Sequence, residues 1–204
     1  MLLAGPARAA QPAGRAVSLA EAQALAERAA PEPRLAQGRA AVARAQIDAA
    51  GALSNPTLSV QSARLSARLT TGVSVPVPLF GQRATAVAAA RSDADSADLE
   101  TVALRLEARW NATRAWLDLW EGQERARLLE IAASEAERLA GIAQERFAAG
   151  STPRLDAVRT NADRARAHAD ARAAQSDVAA ASARLSLAIG AGDVALLWAD
   201  GAPV

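Results

Sequence analysis

The spacing of apolar residues changes character along this chain. In its second half they recur every three or four positions: Leu128, Ala132, Ala136, Leu139, Ala143 and Phe147, then Leu155, Val158, Ala162, Ala165 and Ala169. The first set predicts an amphipathic helix. The second steps 3-4-3-4, the heptad spacing of a coiled coil. Between positions 57 and 79 the period drops to two. Leu58 and Val60 alternate with Ser59 and Gln61, while Val73, Val75 and Val77 alternate with Ser74, Pro76 and Pro78. That alternation predicts a strand at Thr57–Leu65 and another at Leu69–Leu79, joined by a tight turn around Ser66–Arg68. Pro76 and Pro78 suit a strand end, where the ladder is finishing.

Punctuation residues set the helix boundaries. Ser18-Leu19-Ala20-Glu21 has the form of a capping box and opens a helix. That helix is expected to reach about Ala30 and to be interrupted by Pro31 and Pro33. A second is expected from about Arg34 to Leu53, closed by Ser54-Asn55-Pro56. From Gln82 to Ala149 only Gly122 and Gly141 weaken a helical reading, and each is tolerable alone. Such a helix would extend ~100 Å at the standard rise per residue. Gly150 stops it as a C′ residue, Thr152 can cap the next helix, and Pro153 suits its first position. That helix continues to about Ile189, and Gly190 ends it. Two long helices joined by so short a turn must fold back as an antiparallel hairpin. The expected organisation is a leader over 1–17, one repeat over 18–190, and a linker over 191–204 to a missing second repeat.

Composition fits closely packed helices. Alanine and arginine dominate, lysine and tyrosine are absent, and phenylalanine is scarce. Alanine has the best helix propensity and lets backbones approach. The 23 basic and 22 acidic residues interleave to a formal net charge of +1, which argues against a nucleic-acid footprint. With no cysteine, disulfides, thiolate metal sites and a cysteine nucleophile are excluded within this chain. No apolar run approaches the ~20 residues of a membrane-spanning helix, but the weaker signal of a barrel strand is compatible with residues 57–79. Ala7-Arg8-Ala9 has the small-x-small form of a signal-peptide cleavage site; an ordinary alanine-rich leader is the alternative.

Several passages resemble the TolC family of outer-membrane efflux proteins. These are Ser18-Leu19-Ala20-Glu21-Ala22, and Ala49 to Leu58 through Asn55-Pro56, and Val75-Pro76-Val77-Pro78-Leu79-Phe80-Gly81-Gln82-Arg83. The most telling is Glu145-Arg146-Phe147-Ala148-Ala149-Gly150-Ser151-Thr152-Pro153-Arg154-Leu155-Asp156, which is similar to the turn at the periplasmic tip of such ducts. The wording around Phe80-Gly81-Gln82-Arg83 leans towards the heavy-metal (CzcC-like) branch. The resemblance implies a mainly α fold: a long antiparallel helical hairpin with a short two-stranded β segment. In the assembly the strands would join an oligomeric outer-membrane β-barrel and the helices a periplasmic α-barrel. It further implies a trimer of two-repeat chains, held in outer-membrane lipid. Its partners would be a periplasmic adaptor (membrane fusion) protein and an inner-membrane pump.

On this resemblance Gly150, Ser151 and Thr152 form an adaptor-docking tip; by themselves they are a plain hairpin turn. Asp156 is a candidate for the polar network closing the tunnel, its alternative being a helix-dipole partner one turn into its helix. Trp110, Trp116 and Trp120 are expected to pack in the core, and the lone His168 to lie on a solvated surface. No nucleophile–base pair, phosphate loop or carboxylate pair is visible, so no catalytic residue, metal or cofactor is expected. The expected function is a passive exit duct of a tripartite efflux or type I secretion system. The alternatives are a periplasmic coiled-coil adaptor or scaffold, and a soluble helical-bundle sensor. Adaptor hairpins are flanked by small β-domains, and a sensor leaves residues 57–79 unexplained.

Overall fold

The computed structural model describes residues 14–53, 55–62, 69–76, 81–191 and 196–202. They belong to two compact units. One contains residues up to Pro31 and from Arg105 onward, and the other is Glu32–Leu104.

The Glu32–Leu104 unit holds most of α2 (Pro31–Gly51), the strands β2 (Thr57–Ser62) and β3 (Leu69–Ser74), and the start of α3 (Gln82–Ala148). The preceding helix ends at Ala29, as expected before Pro31, but Pro31 and Pro33 lie in the first turn of the next helix and do not precede it. A first-turn N–H has no carbonyl to bond within the helix, so proline loses nothing there and its fixed φ is already helical. The buried residues of α2 are Pro33, Ala36 and Ala40, and Ala90 and Ala94 are buried on α3. Arg44 pairs with Asp98, and Arg39 with Glu100, from α2 to α3. Both pairs are solvent-exposed and contribute little stability.

The other unit holds β1 (Arg15–Val17), α1 (Leu19–Ala29), the remainder of α3, α4 (Arg154–Ala188) and β4 (Leu197–Ala199). Ser18 caps α1, its hydroxyl accepting from the Glu21 backbone N–H at 3.2 Å. The Glu21 carboxylate is paired with Arg15. Val17, Ala112, Trp116, Leu119, Leu185 and Ile189 form the centre of the core. Small residues on α1 (Ala22, Ala26) let that helix lie close to it.

β1 and β4 make a parallel pair, Arg15 opposite Leu197 and Val17 opposite Ala199. Residues 197–199, read above as part of a linker, are thus structured, with Leu197 and Ala199 buried. The far edge of β4 is sealed by side chains from both long helices. Ser182 Oγ accepts from the Leu197 N–H at 2.7 Å. The Gln123 amide, oriented to match its partners, donates to the Ala199 carbonyl (3.3 Å) and accepts from its N–H (3.1 Å). Two side chains stand in for a third strand, so these backbone groups are not buried unpaired.

α3 and α4 form the expected antiparallel hairpin, but the seam differs from the one read in the sequence. Ala133 and Ala140 on α3, and Ala157, Ala171 and Ala174 on α4, are the buried positions. Leu128, Leu139, Leu155 and Val158 are exposed, as are Ala132, Ala162, Ala165 and Ala169. Ala136 and Ala143 are only half-buried. Helices in contact this close select the residue without a long side chain, so alanine marks the seam and the larger residues lie beside it.

Candidate functional site

The strand pair is two-faced. β2 and β3 are antiparallel, with Leu58 opposite Val73, Val60 opposite Thr71, and Ser59 opposite Gly72. Side chains alternate along a strand, so Leu58, Val60, Thr71 and Val73 share one face. Thr57, Ser59, Gln61, Gly72 and Ser74 share the other. Leu58, Val60 and Val73 are 69%, 61% and 70% exposed, although they are the apolar members of the pair. The polar face is knitted by the Ser59 hydroxyl, which donates to the Gly72 carbonyl at 3.2 Å. The ladder covers Thr57–Ser62 and Leu69–Ser74. Val75 and Pro76 follow it unladdered. The remaining residues assigned to strands, and the turn at 66–68, lie outside the described residues.

The turn between α3 and α4 is built as a helix stop. Gly150 has φ +70. Its N–H donates to the Phe147 carbonyl (2.9 Å), and the Ser151 N–H donates to Arg146 (2.8 Å). This double closure is the Schellman pattern, with glycine in the left-handed C′ position. Thr152 does not cap α4. Pro153 occupies the N-cap position, with no side-chain capping bond. The Thr152 hydroxyl is buried without a hydrogen-bond partner among the described residues. The reason is geometric: the helix begins one residue later than expected, so Thr152 sits outside the capping position.

Asp156 lies in the first turn of α4, exposed, with no side-chain partner among the described residues. It is placed where a carboxylate offsets the positive end of the helix dipole. Of the tryptophans, Trp116 is fully buried and Trp120 half-buried, but Trp110 is 67% exposed. Six residues before Trp116 on the same helix, Trp110 lies about a third of a turn (~120°) off its angular position, so it leaves the core face. His168 is half-buried and bonded to Glu137 across the hairpin. Among the described residues no group of three or more His, Cys, Asp or Glu is placed to hold a metal ion, and no helix is long and apolar enough to cross a membrane.

Solved structures share this arrangement. The Campylobacter jejuni CmeC outer membrane channel superposes with a TM-score of 0.70 at 16% identity, over 86% of this chain and 41% of its own. CusC, solved in a study of folding and transmembrane channel formation, gives 0.71 at 16% identity, over 91% and 46%. The outer membrane protein VceC of Vibrio cholerae gives 0.65 at 20% identity, over 84% and 46%. The chain has the fold of one repeat of a TolC-like outer-membrane channel. It spans a little under half the length of the channel chains it matches. No protein-family model and no curated protein sequence matches it. The matched structures do not single out the heavy-metal branch.

Proposed function

We propose that this chain is a subunit, or half-subunit, of a passive exit duct in a bacterial outer membrane, working in efflux or type I secretion. The observation that carries the reading is the strand pair. Leu58, Val60 and Val73 are exposed together on one face, with Ser59, Gln61 and Ser74 on the other. A membrane β-barrel requires that alternation: apolar towards lipid, polar towards the lumen. A soluble scaffold gains nothing from three exposed aliphatics on a two-stranded ribbon. The likeness in fold to outer-membrane channels supports the same reading.

In this proposal the β2–β3 pair supplies part of a barrel completed by other repeats, and the helices line a periplasmic tunnel in a trimer of two-repeat chains. Gly150, Ser151 and Thr152 form the tip that meets a periplasmic adaptor, which connects the duct to an inner-membrane pump. Asp156 belongs to the contacts that keep the tunnel closed at rest. The duct itself does no chemistry, and the energy comes from the pump.

Fractionation tests the reading. The duct predicts recovery with the outer membrane and release only by detergent. Release by high salt or alkaline carbonate favours the periplasmic adaptor or scaffold instead.

A further inference from the structure

Below the core, the two helices of the hairpin touch through alanines and a sparse set of polar links. Two of those links are related by the heptad. Gln175 Nε2 lies 3.4 Å from Glu130, and His168 Nε2 lies 2.9 Å from Glu137. Glu130 and Glu137 are one heptad apart on α3, and Gln175 and His168 one heptad apart on α4, in the opposite direction. The same step brings the register to Gln123 and Ser182, the pair that seals β4. The chain's single histidine thus occupies a fixed rung of the hairpin.

Arg164, one turn before His168 on α4, places its Nη1 3.0 Å from the other Glu137 oxygen. The Glu137 carboxylate therefore bridges both side chains. An ionised carboxylate only accepts hydrogen bonds, so His168 Nε2 carries the proton it shares. We propose that Glu137, Arg164 and His168 form a clasp between α3 and α4 that tightens under mild acid.

The charge arithmetic gives the direction. With His168 neutral, Glu137 faces one cation and one neutral donor; with His168 charged, it faces two cations. Histidine is the side chain whose charge ordinarily changes between about pH 5 and 8. The hydrogen bond from His168, and then that from Arg164, hold the Glu137 carboxyl below the usual glutamate range. A depressed carboxyl contributes fully above the ordinary glutamate value of about 4.3, and its contribution is lost as pH falls through the lowered one. The clasp therefore keeps its anion throughout mild acid and loses it only at still lower pH, where Glu137 itself is protonated. The other charged groups in range do not replace it. Glu130 is engaged by Gln175, and Arg138 pairs with Glu135 on its own helix. Arg172, one turn beyond His168, adds a further positive charge on α4. All three members of the clasp are partly exposed, so the effect is modest.

Amide hydrogen exchange of the 204-residue chain tests this, with rates corrected for the intrinsic pH dependence. Amides of residues 130–144 and 161–175 are expected to gain about two- to fivefold protection between roughly pH 8 and 5.5. His168→Gln, which keeps a donor but cannot charge, should flatten that response while preserving helicity. Glu137→Gln, which removes the anion both side chains share, should flatten it too. An unchanged pH response in either variant overturns the clasp, as does a wild-type hairpin whose protection does not change.

Discussion

The indole Nε1–H of Trp116 donates to the Val17 carbonyl at 2.8 Å, joining the middle of α3 to the strand that precedes α1. Both residues are fully buried. The same carbonyl also accepts from the Asp200 N–H at 3.1 Å. One oxygen thus ties together three segments distant in sequence, and Trp116 holds them by both its ring and its donor.

Separating the two roles is straightforward. Trp116→Phe keeps most of the apolar contact and removes the donor, while the Val17 oxygen retains Asp200. The expected cost is about 1 kcal/mol. Trp116→Ala empties the centre of the core and should cost ~3–5 kcal/mol. Urea denaturation followed by circular dichroism measures both. Equal losses in the two variants would show that the hydrogen bond, and not packing, dominates at this position.

Gly150 and Gly190 make a second contrast. Both end long helices in the left-handed region, with φ +70 and +69, and both close the same double hydrogen-bond pattern. Their surroundings differ. A Cβ at Gly150 would meet nothing within 4 Å, whereas one at Gly190 would collide with the backbone of Ala29 and Ala30. Gly150→Ala should therefore cost only the conformational penalty, about 1 kcal/mol. Gly190→Ala must also displace the end of α1 and should lose several-fold more stability. Chemical denaturation of the two variants checks the ranking, and similar losses would show that α1 yields easily.

Helix ends were legible in the sequence because glycine, proline and serine act through local geometry. Ser18, Gly150 and Gly190 sit where their chemistry requires. The hairpin was legible because two long unbroken helical stretches flank so short a turn, and the strand pair because its alternation is clear. The β1–β4 pair was not. Three-residue strands carry no period, and Arg15–Val17 finds its partner some 180 positions away. The polar residues that seal β4, Gln123 and Ser182, look like ordinary helix surface until β4 is seated on them. The seam was misread at Leu128, Leu139, Leu155 and Val158 because large apolar residues usually mark the buried face. In this alanine-rich hairpin they mark a face the chain does not cover by itself, one that the proposed assembly with other repeats would cover.

That unfinished packing bears on pore formation. Among the described residues the β2–β3 pair has only two strands and no partner on either edge, and unpaired backbone groups are costly in lipid. The 204-residue chain alone should be strongly helical by circular dichroism yet give no stable channel in planar bilayers. Reproducible conductance of uniform size would mean that separate copies complete the barrel among themselves.

Asp156 allows the proposed closure to be separated from local helix stability. In the single chain its side chain has no partner among the described residues and sits in the first turn of α4. If that is its whole role, Asp156→Ala loses a dipole contact of ~0.3–1 kcal/mol, lowers thermal stability slightly and changes nothing in transport. In the proposed duct it also meets a neighbouring helix near the tunnel's inner end. An exposed contact of this kind is worth ~0.2–1 kcal/mol per copy. Repeated around a symmetric assembly, it is enough to shift a closed–open balance severalfold, since ~1.4 kcal/mol is tenfold. Asp156→Ala in the complete protein should then raise resting conductance and sensitivity to bulky antibiotics without lowering abundance. Conductance and melting temperature measured on the same variant decide between the two. A leak at unchanged stability supports closure, and a lower melting temperature without a leak assigns Asp156 to its own helix alone.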